Sequence, residues 1–281
     1  MTNKPILIIG KYGKTGRRVL QRLESMGVQT RAVSRSTELS FDWQQRETWG
    51  PALQGVGAVY VTYQPDLAIA QAEDDIEAFT LMAKQAGVEH LVLLSGRGEA
   101  GARRAEEIVI NSGIAWNIVR ASWFFQNFSE SFMIDGILQG ELVLPAGDIP
   151  EPFIDAEDIA DVAVACLTDA KHRNRIYEVT GPRAMTFADC MRELSQALQR
   201  PVKYTQVPID DYLDLLDQQG VPEPMQWLLK ELFSEVLDGR NSQVQKGVEA
   251  ALARPATDFQ VYVKRMIESG CWSTDRLKQA V

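Results

Sequence analysis

Short apolar runs and amphipathic stretches alternate along roughly the first two-thirds of the chain. The run at residues 6–9 is apolar at every position, which predicts a strand buried on both faces. Similar runs predict strands at 29–34, 58–62, 90–95, 116–120 and 176–180. Between them apolar residues recur every third or fourth position, which predicts helices over 17–26, 67–86, 102–112 and 156–168. Val19, Leu20, Leu23 and Met26 share one face of the first helix. Ile159, Val162, Ala163, Cys166 and Leu167 do so in the last. Strand–helix alternation with continuous apolar strands implies an α/β fold, a doubly wound parallel sheet with helices on both faces.

After Gly181-Pro182 the pattern becomes mainly helical. Phe187, Met191, Leu194 and Leu198 mark one helix, and Met225, Leu228, Leu229, Leu232, Phe233 and Val236 another. Thr257-x-x-Gln260 reads as a capping box before Phe259, Tyr262, Val263, Met266 and Ile267. A short strand at 202–207 interrupts these helices, and 273–281 reads as a loose tail. The expected division is a Rossmann domain at 1–182 and a helical capping domain at 183–281. Segment 121–150 is expected to contribute to the ligand pocket.

Gly10, Gly13 and Gly16 follow the first strand directly and open the first helix. Glycine there lets a pyrophosphate approach the backbone, while the helix N-terminus offers N–H groups and partial positive charge. A nucleoside-triphosphate loop would need its first glycine at Ile8, so that reading fails. A tight turn without ligand is the alternative. Lys11, Lys14 and Arg17 place cations where phosphate charge would lie; Tyr12 and Thr15 complete the loop. The second strand ends in Ser34-Arg35-Ser36, without the acid that accepts from a ribose 2′-OH. Arg35 suits a 2′-phosphate, so NADP(H) is expected over NAD(H).

Ligands of such sheets lie beyond the carboxyl ends of the strands. That rule nominates Thr62, Tyr63 and Gln64, then Ser95 and Gly96, then 121–127 with Ala121 first. Trp123, Phe124, Phe125 and Phe128 read as a pocket wall or as ordinary packing, and Asn127 as a polar contact or a helix cap.

Net charge is −9 over 281 residues, which argues against nucleic acid or anionic membrane as partner. No apolar stretch reaches membrane-spanning length, and the chain enters its first strand without a signal peptide. Cys166, Cys190 and Cys271 are widely spaced, and His90 and His172 are the only histidines. A disulfide framework, a histidine metal site and a Ser-His-Asp triad are not expected. Asp155, Asp158 and Asp161 read as helix-end acids rather than metal ligands. A cytoplasmic monomer or homodimer acting on a small molecule is the expectation.

These residues resemble the NmrA-like group of atypical short-chain dehydrogenases from about residue 5 to about residue 270. The markers are Gly10-Lys-Tyr-Gly-Lys-Thr-Gly16, Leu91-Val-Leu-Leu-Ser-Gly96, Ser112-Gly-Ile-Ala-Trp-Asn-Ile-Val-Arg120, Trp123-Phe-Phe-Gln-Asn-Phe128 and Pro152-Phe-Ile-Asp-Ala-Glu-Asp-Ile-Ala160. Phe41-Asp42-Trp43, Thr48-Trp49 and Ala58-Val-Tyr60 are similar to clavine-type reductases of ergot-alkaloid synthesis, which reduce an iminium carbon with NADPH. The resemblance implies bound NADP(H) and a small substrate, or a regulator that senses dinucleotide without turnover. Typical short-chain dehydrogenases carry Tyr-x-x-x-Lys as proton donor and helper. Those positions fall here at Gly98 and Ala102, leaving the serine equivalent Ser95 and, as a weak donor, Tyr63. A substrate needing little acid, imine-like or quinone-like, is therefore expected.

Overall fold

The computed structural model describes residues 4–273; residues 274–281 of the expected tail lie outside them. The strands are β1 Ile6–Ile9, β2 Thr30–Val33, β3 Ala58–Val61, β4 His90–Gly96, β5 Ala115–Ala121, β6 Glu141–Leu144, β7 Arg175–Val179 and β8 Lys203–Gln206. The helices are α1 Gly16–Ser25, α2 Trp49–Leu53, α3 Ala70–Gln85, α4 Ala100–Asn111, α5 Met133–Gln139, α6 Ala156–Thr168, α7 Phe187–Leu198, α8 Ile209–Gln218, α9 Glu223–Glu231, α10 Gly247–Leu252 and α11 Phe259–Glu268. None is long and apolar enough to cross a membrane.

Six strands form one parallel sheet in the order β2-β1-β3-β4-β5-β7. These are the six apolar runs of the sequence. The order reverses at β1, whose neighbours are β2 and β3, and a doubly wound sheet opens its ligand crevice beyond such a reversal. A single parallel bridge, Ser34 to Ser40, extends the sheet past β2. β6 and β8 pair in a separate two-stranded parallel sheet.

Two compact units result, and they differ from a single boundary at residue 182. One holds the described residues up to Ala121 with 156–179 and 246–254; the other holds 122–155, 180–245 and those from Pro255. The reason is pairing. β7 hydrogen-bonds to β5, so the chain must come back to the first sheet. α10 lies so close to β7 that a Cβ on Gly247 would collide with the Glu178 carbonyl. Segment 121–150, apart from Ala121, belongs wholly to the second unit.

Within the first unit α6 is tied to α1 by Arg18–Glu157 (2.6 Å), Arg22–Glu157 (2.7 Å) and Arg22–Asp161 (2.5 Å). Arg254 pairs with Asp158 (2.7 Å) and with Asp161. The core beneath β2 and β3 is aromatic: Phe41, Trp43, Trp49 and Phe79 meet at centroid distances of 5.1 to 6.2 Å. The second unit has its own core around Phe128, Phe153, Phe187 and Phe259. There the buried Asp155 accepts from Gln126 (2.8 Å) and Arg265 (2.7 Å). The cap of α11 is Asp258, one residue after the expected Thr257; its carboxylate accepts from the Gln260 N–H.

Both histidines are buried at the amino end of the sheet. Asn117 donates its amide to the carbonyls of His172 (2.5 Å) and Arg175 (3.1 Å), so its oxygen must accept from His90 Nε2 (2.9 Å). His172 Nδ1 meets the Tyr177 hydroxyl at 2.6 Å. Burial lowers both imidazole pKa values; Arg173 adds repulsion at His90, and Lys171 at His172. The folded chain therefore binds fewer protons there than the unfolded chain. Their stabilising contribution is complete above the unfolded value of about 6.5 and is lost as pH falls below it. The melting temperature should be level above about pH 7 and decline below about pH 6.5, less steeply in His90→Gln. A melting curve independent of pH through that window would contradict the assignment.

Candidate functional site

β1 ends in a backbone arrangement that only glycine accommodates. Gly10 has φ +81°, and a Cβ there would stand 2.7 Å from Thr62 Oγ1. The Gly10 and Lys11 N–H groups donate to the Val33 carbonyl (3.0 Å each), and Gly13 N–H donates to the Gly10 carbonyl (2.8 Å). A Cβ on Gly16 would collide with that same carbonyl, and one on Gly13 would lie 3.2 Å from it. α1 begins here after the buried Thr15, and its first turn carries no acid. The Arg17 N–H donates to the Gly13 carbonyl (3.2 Å), so the turn runs directly into the positive end of α1. Lys11 lies 5.5 Å over the ring of Tyr12, which is 61% exposed. Lys14 is partly exposed and Arg17 exposed. The cradle fits a pyrophosphate: close backbone approach, positive helix end and flanking cations.

Beyond β2, Ser36 N–H and Oγ both lie 3.3 Å from Ser34 Oγ, and Thr37 closes the turn onto the Ser34 carbonyl (2.8 Å). Arg35 between them is exposed. This presents a guanidinium flanked by hydroxyls, suited to a phosphate monoester.

Beyond β3, Thr62 donates to the Ile9 carbonyl (3.0 Å) and its own carbonyl accepts from Trp43 Nε1 (2.9 Å). Tyr63 packs on Trp43 and donates its hydroxyl to Asp75 (2.8 Å), a buried carboxylate also held by Arg46 (2.8 Å) and Gln71 (3.2 Å). Burial, then Asp75, pushes the phenol pKa well above its ordinary value. The expectation of Tyr63 as proton donor is therefore corrected: its hydrogen is held by a carboxylate that also opposes its ionisation. Gln64 is exposed, joined to Pro65 by a cis bond.

Beyond β4 and β5 the edge is charged and buried. Ser95, Arg120 and Glu178 are register partners across β4, β5 and β7. Glu106 from α4 accepts from Ser95 Oγ (2.6 Å) and forms a two-point pair with Arg120, which also pairs with Glu178. Ser95 is 4% exposed and Glu106 is 1% exposed. Ser95, expected as a catalytic donor, here gives its hydroxyl hydrogen inward to Glu106. Gly96 leaves room for the carboxyl of Glu99, which would collide with any Cβ there. The Ala121 carbonyl accepts from the Arg97 N–H (3.0 Å).

The aromatic segment lies in the second unit. Trp123 meets Phe187 edge-on (5.7 Å) and Phe233 at 5.1 Å. Phe125 is 2% exposed, stacked on Tyr262 (5.2 Å) and against Phe259 (5.1 Å). It is core, which corrects its expected role in contacting substrate. Trp123, Phe124 and Asn127 retain partial exposure. Asp75 and Glu99 carried no sequence signal, being two acids among 38; only the Tyr63 contact and the close approach at Gly96 single them out.

The profile of the NmrA-like family matches residues 2–263. An NAD(P)H azoreductase of Xenophilus azovorans is 30% identical over 283 residues, covering 92% of this chain and 96% of its own. Festuclavine dehydrogenase of Aspergillus fumigatus is 28% identical over 277 residues, covering 90% and 96%. The crystal structure of a Citrobacter triphenylmethane reductase complexed with NADP(H) superposes with TM-score 0.79 at 19% identity, over 93% of this chain and 99% of that one.

Gly16→Ala should cost about 1–3 kcal/mol of stability and weaken dinucleotide binding roughly tenfold or more, read by denaturation and calorimetry. Unchanged binding would separate the turn from the ligand. Glu106→Ala should cost about 3–5 kcal/mol by leaving Arg120 short of a partner, against about 1 kcal/mol for Ser95→Ala. Equal losses in urea titrations would show that the Arg120 pair does not organise this edge.

Proposed function

The chain belongs to the NmrA-like family, and on that premise we propose that it is a nicotinamide-dinucleotide-dependent reductase of small organic acceptors, with NADPH preferred. The glycine turn carries this reading, because its collisions at Gly10 and Gly16 exclude side chains where a pyrophosphate would approach. When bound, the dinucleotide supplies the hydride. Gly10, Lys11, Tyr12, Gly13, Lys14, Thr15 and Gly16 hold its pyrophosphate. Ser34, Arg35 and Ser36 take the 2′-phosphate, Arg35 being exposed and unpaired among the described residues. Thr62, Gln64, Ser95, Gly96 and Ala121 border the nicotinamide half, where Ser95 Oγ serves as a hydrogen-bond acceptor.

The acceptor is proposed as a carbon or nitrogen electrophile of the iminium, azo or quinone kind. The names of the azoreductase and festuclavine dehydrogenase relatives support that class. So does the chemistry of the edge: Tyr63 and Ser95 both have their hydrogens bound to carboxylates, so a simple ketone would lack the usual acid. Trp123, Phe124 and Asn127 are kept as substrate-contacting residues. The same shortage of donors favours a second reading, a regulator that binds NADP(H) without consuming it.

Loss of NADPH absorbance with a panel of azo dyes, quinones and cyclic imines tests the reductase reading. Tight binding without turnover across that panel would favour the regulator. Arg35→Ala should weaken NADPH binding roughly tenfold and leave NADH binding nearly unchanged, measured by calorimetry. Equal losses for both cofactors would remove the NADP preference.

A further inference from the structure

We propose that Tyr63 is a fixed aromatic wall for the adenine of the dinucleotide, and that Asp75 and Arg46 are positioning residues that hold its ring in place. This rests on the dinucleotide-binding part of the reading above. It gives the Tyr63–Asp75 hydrogen bond a use other than proton transfer.

The ring is held at its tip and along one side. Its hydroxyl donates to Asp75 Oδ2 (2.8 Å), while Asp75 Oδ1 accepts from Arg46 (2.8 Å) and Gln71 (3.2 Å). Asp75 lies on α3 and is 4% exposed, so these donors satisfy a carboxylate nearly closed to water. Arg46 is held in turn, with its guanidinium 5.5 Å over the ring of Trp49. The Tyr63 ring rests on Trp43, at 4.8 Å between centroids. Trp43 is itself buried against Phe41, Trp49 and Phe79, and its Nε1 is tied to the Thr62 carbonyl (2.9 Å). Tyr63 nevertheless stays half-buried. Its tip and one side are occupied and the remainder of the ring is open.

The place of Tyr63 in the sheet identifies the ligand group. It follows β3, which neighbours β1 at the reversal of strand order where a dinucleotide crevice opens. The residue before it, Thr62, stands against Gly10 of the glycine turn and donates to the Ile9 carbonyl (3.0 Å). Trp43 and Arg46 both come from the connection leaving β2, the one that opens with Arg35. Tyr63 is thus packed against the segment proposed to take the 2′-phosphate, whereas Ser95 and Ala121 end β4 and β5. The 2′-phosphate is carried by the adenosine ribose, so the aromatic group due on this side is the purine. A flat ring backed on one side is a surface on which a base stacks. Fixing it in advance removes the cost of ordering it on binding.

Calorimetry on the full-length chain tests this, with NADPH and with adenosine 2′,5′-bisphosphate, which has no nicotinamide. Tyr63→Ala should weaken both ligands about thirtyfold, the scale of a base that loses its aromatic partner. Tyr63→Phe keeps the ring without its anchor and should cost only about threefold for each. Asp75→Ala should cost a similar factor of about three in the native background and nothing further in Tyr63→Ala. A merely structural Asp75 would cost the same in both backgrounds, and that result overturns its positioning role. Unchanged bisphosphate affinity in Tyr63→Ala overturns the proposal, even where NADPH binding weakens. A native chain that binds neither ligand overturns the dinucleotide reading and this assignment with it. A native chain that binds both, matched by Tyr63→Ala, overturns this assignment alone.

Discussion

A guanidinium buried at the carboxyl edge of a parallel sheet must be neutralised in place, and Arg120 sets that requirement here. Glu106 meets it from α4 and Glu178 from β7, so one cation fixes a strand and a helix relative to β5. The consequences reach the chemistry. Glu106, held by Arg120, takes the hydrogen of Ser95. The same edge then has Gly96 backed by Glu99. Ser95, Arg120, Glu106 and Glu178 thus form one network, and substitutions within it should not be additive.

Much of this was legible in the chain. All six sheet strands coincide with the expected segments, most plainly β1, β3 and β4, whose residues are mostly apolar and buried; the edge strands β2 and β7 carry charges. The glycine turn was legible because its geometry admits no other residue type at Gly10 and Gly16. What was hidden depends on partners far apart in sequence. Tyr63 looked like a donor until Asp75 was seen to hold its hydroxyl, and Phe125 looked like a pocket wall until Tyr262, 137 positions on, was seen to stack on it.

The two compact units interleave along the chain instead of dividing once at 182. Periodicity identifies elements but not the sheet into which each one hydrogen-bonds. Strand β7 was expected in the sheet and lies there, but 122–155 forms part of the second unit and α10, at 247–252, returns to the first.

That interleaving has a consequence for how such a protein diversifies. The second unit is encoded in three separated stretches, each flanked by segments that the first unit needs. No single crossover between genes could exchange it intact. Change in the second unit must instead accumulate residue by residue, or through insertions within those stretches.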